Sequence, residues 1–311
     1  MIVEAAGSLT RTAQSRGKQY GLGMTYSKPI AEIIQSRFSC RSYARQPIPD
    51  IPRRALREAA ETTVAGPLGT SLRFCLVAAE QGDGTALKGL GTYGLIRNPA
   101  GFIIGAVKAG GKDLEDFGYI AESLALLATD LGLGTCWIGG AFTRSSFSRR
   151  IQASPDERIP AVISVGVIVN EQAARAGTAR RVSRGDRRLP WESLFFDERF
   201  GTPLRRETAE PAATALEAVR FGPSASNKQP WRIVREGRFW HFFLRRTPGY
   251  PPGLGRMLFG VKDLQRIDIG IAMCHFELTM KGLGLEGRWV SRPSQMNLPE
   301  AFKEYTVSYE C

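Results

Sequence analysis

The strongest constraint on the fold is a repeat inside the chain. DFGYIAESLALLATDLGLGTCW opens at Asp116, and DIGIAMCHFELTMKGLGLEGRW opens at Asp268. Both begin Asp-x-Gly, both close on Leu-Gly-Leu, and both carry a Trp four residues further on. A constant offset of 152 relates Asp116 to Asp268, Gly118 to Gly270, Leu131 to Leu283, Gly132 to Gly284 and Trp137 to Trp289. In the first copy Phe117, Ile120, Leu124, Leu127 and Leu131 fall near one helical face. Two buried helices can share such spacing by chance. Sharing both ends and the downstream Trp argues for duplication.

A second landmark lies upstream of each copy. Gly66-Pro67 and Gly222-Pro223 each end a helix-like stretch, at an offset of 156. Each is followed by a loop and then a β-rich run, at 73–78 and at 231–234. Glu236-Gly237 reads as a hairpin turn into 238–245. The apolar runs 101–107 and 161–169 read as buried strands. The plan is an extension at 1–27, a first repeat at 28–170, a basic crossing segment at 171–206 and a second repeat at 207–311. Each repeat is short for an independent domain, so one compact unit with a shared core is expected.

Length and charge narrow the function. The 311 residues fit about two ordinary domains. A net charge of +12 favours anionic partners: a phosphorylated cofactor, nucleic acid or an anionic membrane surface. Six arginines against one aspartate crowd 175–188, but no recognition motif accompanies them, so no nucleic-acid partner is expected. Two histidines, His241 and His275, leave little room for a histidine-rich metal site or a His-centred triad, and no metal is expected. His241, in an aromatic run, and His275, on the repeat helix, read as structural. Five widely spaced cysteines without a CxxC pair fit a reducing cytoplasm. No apolar stretch of about 20 residues predicts a membrane span. Residues 1–27 are polar and basic without an apolar h-region, and read as a frayed extension or an upstream start before Met24.

Four strings carry candidate chemistry. Arg37-Phe38-Ser39-Cys40-Arg41 offers two guanidiniums and a hydroxyl, the donors a phosphate needs, and also reads as a solvated arginine cluster. Gly222-Pro223-Ser224-Ala225-Ser226-Asn227-Lys228-Gln229-Pro230-Trp231 offers amides that can meet the edge of a flat heteroaromatic ring, or a plain polar turn. Ile138-Gly139-Gly140 lets backbone N–H groups approach a ligand, or simply turns the chain. Arg187 and Arg188 are anchored by the Leu189-Pro190-Trp191 that follows. Cys40 and Cys136 lie within these strings and read as small packing residues rather than catalytic thiols. Tyr93 and Gly94 sit in a Gly-rich loop that either faces the site or packs in the core.

Together these strings resemble the FMN-dependent nitroreductase-like family over about 30–311, and within it a subfamily with two fused repeats in which one chain mimics the usual homodimer. The resemblance implies an α+β fold, duplicated as an internal pseudo-dimer with central sheets flanked by helices. It implies FMN, with Arg37, Phe38, Ser39 and Arg41 and the pair Arg187 and Arg188 at the phosphate. Ile138, Gly139 and Gly140 would lie against the ring, and Pro223, Ser224, Asn227 and Gln229 would reach it across the internal interface. The motifs are split: at the 156 offset the first repeat has lost the Asn and Gln, and the second lacks the Arg-x-Ser-x-Arg string. One whole site per chain follows, with the chain acting as a monomer.

The activity so implied is an NAD(P)H oxidoreductase that reduces a nitroaromatic, quinone-like or other small acceptor by ping-pong hydride transfer, with no catalytic side chain because the flavin carries the chemistry. The alternative is a flavin-binding or flavin-handling protein without external-acceptor turnover.

Overall fold

The computed structural model describes residues 18–20, 23–80, 85–171, 187–248, 263–293 and 304–311. The first half runs β1 (Lys18–Tyr20), β2 (Met24–Tyr26), α1 (Ile30–Ser36), α2 (Asp50–Thr62), β3 (Leu72–Ala78), β4 (Gly101–Lys108), α3 (Asp113–Asp130), β5 (Leu133–Ile138), α4 (Arg144–Arg150), β6 (Glu157–Arg158) and β7 (Val162–Val167). The second half runs β8 (Phe195–Asp197), α5 (Arg206–Ala209), α6 (Ala213–Phe221), β9 (Trp231–Glu236), β10 (Phe239–Leu244), α7 (Leu264–Gly282), β11 (Arg288–Val290) and β12 (Tyr305–Glu310).

Two sheets result. The first has the order β3-β4-β7-β5, all antiparallel, with β6 added beside β4. β3 alternates buried and half-buried residues, while β4 is buried over seven consecutive positions. That difference is what an edge and a central strand require. The second sheet has the order β11-β12-β10-β9-β8, with β8 parallel to β9 and the rest antiparallel. Its edge strand β8 comes from the crossing segment. The apolar runs at 73–78, 101–107 and 161–169 form β3, β4 and β7, and Gly237 (φ 55°) turns β9 into β10. Met24 and Tyr26, within the stretch expected to fray, are instead buried in β2, and the Tyr26 hydroxyl donates to Ser123 O on α3 (3.1 Å). The remainder of that extension, 1–17 and 21–22, lies outside the described residues, as do 172–186.

The two repeat helices lie between the sheets. α3 is buried from Asp113 through Ala128, and α7 is buried along most of its length. A helix apolar on all sides needs partners on all sides, and one buried cluster supplies them from both sheets, including Phe74, Ile103, Trp231 and Phe242. The glycines of the repeat motif sit where the helices cross. A Cβ on Gly118 would lie 2.2 Å from Ile267 O, and a Cβ on Gly270 would lie 2.0 Å from Glu115 O. The contact is reciprocal at the 152 offset, since Ile267 stands to Gly270 as Glu115 stands to Gly118. The two backbones touch, so the residue at the crossing must lack a side chain.

This geometry makes Gly270→Ala costly. We expect a loss of about 3 kcal/mol, at the upper end for overpacking because the obstructing atom is backbone. Chemical denaturation would measure it, and a loss below about 0.5 kcal/mol, the ordinary surface range, would contradict the crossing.

Candidate functional site

α1 ends at Arg37, where the backbone turns extended (φ −62°, ψ 130°). The chain then runs along the free edge of β5. Ser39 pairs with Thr135 in a parallel bridge, and Cys40 N donates to Thr135 O (2.8 Å). Extended backbone alternates its side chains. Phe38 and Cys40 enter a second buried cluster with Tyr43, Cys136, Ile138 and Phe142. Arg37, Ser39 and Arg41 alternate with them. Burial pushes the Cys136 thiol up, while Arg41, Arg37 and a hydrogen bond from Ser39 oppose the shift. Arg41 Nε and Thr135 Oγ1 are buried without a hydrogen-bond partner. Burial also raises the Cys40 thiol, so neither cysteine is an activated nucleophile.

Beyond β5 the chain turns through Gly139 and Gly140. Gly139 is capped by Leu264 at the start of α7, whose Cδ1 would lie 2.6 Å from a Cβ there. Gly139 O accepts from Arg144 (3.0 Å), and Gly140 is exposed. The loop around Tyr93 is pinned on both flanks: Arg97 N donates to Arg41 O (2.8 Å), and Thr143 N donates to Gly91 O (3.1 Å). Tyr93 itself is 75% exposed at φ 47°, so it does not pack in the core.

The second half supplies a strained loop. Ser226, Asn227 and Gln229 all have positive φ, at 50°, 54° and 48°. Such residues cost about 1–3 kcal/mol each and need local support. Ser224 Oγ accepts from Gln229 N (2.9 Å), and Asp268 Oδ1 on α7 accepts from Ala225 N (2.9 Å). The Asn227 amide donates to Arg187 O (2.9 Å), and Gln229 Oε1 accepts from Leu189 N (2.9 Å). Arg188 donates to Asn227 Oδ1 (3.3 Å) and to Phe221 O (3.1 Å). The loop residues and the basic pair thus meet, and the Asn227 and Gln229 amides grip the 187–189 backbone. The half-buried Pro223 begins the loop directly after α6. The other arginines of the basic stretch, Arg175 to Arg184, lie outside the described residues.

The structure therefore joins the predicted residues into two groups, the 37–41 segment with 138–140 and the 223–229 loop with Arg187 and Arg188. α3 and α7 connect them. Leu264 touches Gly139 and Asp268 holds Ala225, one helical turn apart. On α3, Glu122 is fully buried and faces Arg37 (Nε to Oε1, 3.5 Å), Trp137 (Nε1 to Oε2, 2.6 Å) and His275 (Nε2 to Oε1, 3.0 Å). Sequence reasoning missed Glu122, Asp116 and Asp268 as contributors to the site. In the sequence Asp-x-Gly is a repeat landmark, and nothing local distinguishes these acids from the other charged residues of α3 and α7. Asp116 Oδ1 and Oδ2 accept from Leu68 N and Thr70 N (2.8 Å each), in the loop after Gly66-Pro67. Each repeat helix thus uses the Asp of its Asp-x-Gly to hold its own Gly-Pro loop.

A family model described as "Putative TM nitroreductase" matches residues 29–280. The chain belongs to this nitroreductase family, with its α+β fold. A Thermotoga maritima protein under the same description superposes with a TM-score of 0.58 at 18% identity, covering 92% of this chain and 95% of that one. A Desulfovibrio desulfuricans protein solved in complex with FMN gives 0.38 at 20% identity, over 50% of this chain and 95% of its own. An FMN-dependent nitroreductase of Clostridium difficile gives 0.36 at 21% identity, over 46% of this chain and 89% of its own. No curated protein matches the chain. Among the described residues no helix is long and apolar enough to cross a membrane.

Asp268 offers a test of the loop's support. Burial pushes its carboxyl well above the usual range, against the Ala225 hydrogen bond and with Asp263 adding to the rise; its Oδ2 has no partner. A folded-state value above the unfolded one means that folding takes up a proton, so this contribution to stability declines as pH rises above about 4. Asp268→Asn keeps one acceptor for Ala225 N and removes the proton uptake. We expect the wild type to lose stability relative to D268N as pH rises from 4 to 8. A constant difference would show Asp268 ionised in the fold.

Proposed function

We propose that the chain is an FMN-dependent oxidoreductase that uses NAD(P)H to reduce a nitroaromatic, quinone-like or other small acceptor, one chain forming a pseudo-dimer with one complete site. The observation that carries this reading is the extended 37–41 segment beside β5, in which Arg37, Ser39 and Arg41 alternate with the buried Phe38 and Cys40, with Arg41 Nε buried and without a hydrogen-bond partner. Two guanidiniums and a hydroxyl in that arrangement suit a phosphate monoester, which accepts charge-assisted hydrogen bonds. Unmet buried donors are costly in the absence of an acceptor.

The residues present fit FMN. Arg37, Ser39 and Arg41 would take the phosphate. Backbone N–H groups near Ile138, Gly139 and Gly140 would favour negative charge on the ring. Ser224, Asn227 and Gln229 belong to the loop that would close the site from the second half, and Arg187 and Arg188 travel with it. The amides of Asn227 and Gln229 act here by fixing the loop against 187–189. Flavin held there would supply the two-electron chemistry for hydride transfer from NAD(P)H to the acceptor in ping-pong order. The reciprocal crossing of α3 and α7, and the Asp-held loop in each half, support the pseudo-dimer.

The purified protein should show a flavin absorption spectrum, with one FMN released per chain. Arg41→Ala should weaken FMN binding by about 10- to 100-fold, the range for losing a hydrogen bond to a charged group. Steady NAD(P)H oxidation with a nitroaromatic or quinone would establish turnover. Bound FMN without such turnover would mark a flavin-handling protein, and no flavin after reconstitution would overturn the reading.

A further inference from the structure

We propose that Glu122 is a positioning residue of the phosphate site: its buried carboxylate fixes the Arg37 guanidinium and couples it to the loop of the second half. The inference rests on the reading of Arg37 as a phosphate ligand.

Glu122 is 0% exposed and lies among four elements. Arg37 comes from the end of α1, Trp137 from β5 and His275 from α7. His275 Nδ1 lies 2.8 Å from Ala218 O on α6, one turn before Gly222-Pro223. His275 also borders that landmark directly, since a Cβ on Gly222 would lie 3.7 Å from its Nδ1. A continuous chain of contacts therefore runs from the clamp through Glu122 and His275 to the start of the 223–229 loop. Burial raises the Glu122 carboxyl, but the His275 hydrogen bond, the Arg37 charge and the Trp137 hydrogen bond together bring it below its usual range. The carboxylate is thus charged, and a buried charge persists only where partners of this quality surround it.

A purely structural role would be to anchor the Trp after the repeat helix. The second half isolates that role. There Glu277 accepts from Trp289 Nε1 (2.5 Å) and Tyr119 OH (2.9 Å), and pairs with Lys281 (2.6 Å). Trp289 is the 152-offset counterpart of Trp137. Both halves tie this Trp to a buried carboxylate. The half with the clamp adds an arginine from the clamp and a histidine from the opposite repeat. In the second half Lys281 and Tyr119 partner the Trp-anchoring carboxylate, and neither leads to a clamp or to the 223–229 loop, whereas Arg37 and His275 do. Glu122 thus orients a guanidinium, which must present its planar fork correctly to bind phosphate.

The test compares FMN with riboflavin, which lacks the phosphate. Each is titrated into apoprotein by quenching of flavin fluorescence, for the wild type, Glu122→Gln and Glu277→Gln. We expect E122Q to weaken FMN by about tenfold or more, to leave riboflavin within about twofold, and so to erase most of the preference for FMN. E277Q should leave the ratio of the two constants unchanged. Equal weakening of both flavins by E122Q, or no weakening of either, would overturn the proposal. Wild-type protein that binds FMN no better than riboflavin would instead overturn the phosphate reading of Arg37. Should E122Q fail to fold, Glu122→Asp keeps the charge while withdrawing it from Arg37, and the same loss of preference is expected from it.

Discussion

The contact on which the rest of the structure depends is the meeting of two helix backbones at Gly118 and Gly270. Removing two side chains lets α3 and α7 approach until each meets the other's carbonyl. At that distance, residues one turn further along each helix fall within reach of the opposite half. Tyr119 reaches Glu277, Glu122 reaches His275, and Ser123 lies 3.3 Å from the Cys274 sulfur. The polar groups buried along the crossing satisfy one another across it. Separating the halves would expose this interface and leave charged groups without partners. The halves therefore share one buried core.

The same joint supports two unlike loops. Asp116 accepts two backbone N–H groups and holds a loop of Leu68, Gly69 and Thr70, in which only the glycine has positive φ. Asp268 accepts one, from Ala225, and the loop above it forces three non-glycine residues into the left-handed region. That loop then needs support from elsewhere, and it comes from the 187–189 backbone through Asn227 and Gln229. Strain persists only where surrounding contacts over-determine it. Its presence in one of these two loops and not the other is the structural counterpart of the sequence observation that the Asn and Gln occur in one repeat and not in the other.

How much of this could be read from the sequence follows from the range of each interaction. The repeat helices were legible because burial on all sides leaves an apolar pattern with a glycine at a fixed place. β3, β4, β9 and β10 were legible because strand periodicity is local. The clamp was legible as a set of residue types, but its extended path beside β5 was not, because bridge partners 96 positions apart, Ser39 and Thr135, leave no local signature. Glu122 and Asp268 were not legible as site residues. An acid within a helical pattern looks the same whether it faces water or a buried arginine, and only the tertiary partner distinguishes them. Met24 and Tyr26 were misplaced in a fraying extension for a similar reason, since their burial depends on α3 rather than on their neighbours in sequence.

Two buried carboxyls on the crossing helices are shifted in opposite directions, and their surroundings account for it. Glu122 meets a guanidinium, an imidazole and an indole N–H, so it keeps its charge despite burial. Asp268 is buried, meets one backbone N–H and has Asp263 nearby, so its carboxyl is pushed well above the usual range. Environments that drive like groups apart in this way assign them different tasks. On α3 the Glu122 charge lies against Arg37, while on α7 the Asp268 carboxyl holds the loop through Ala225 N.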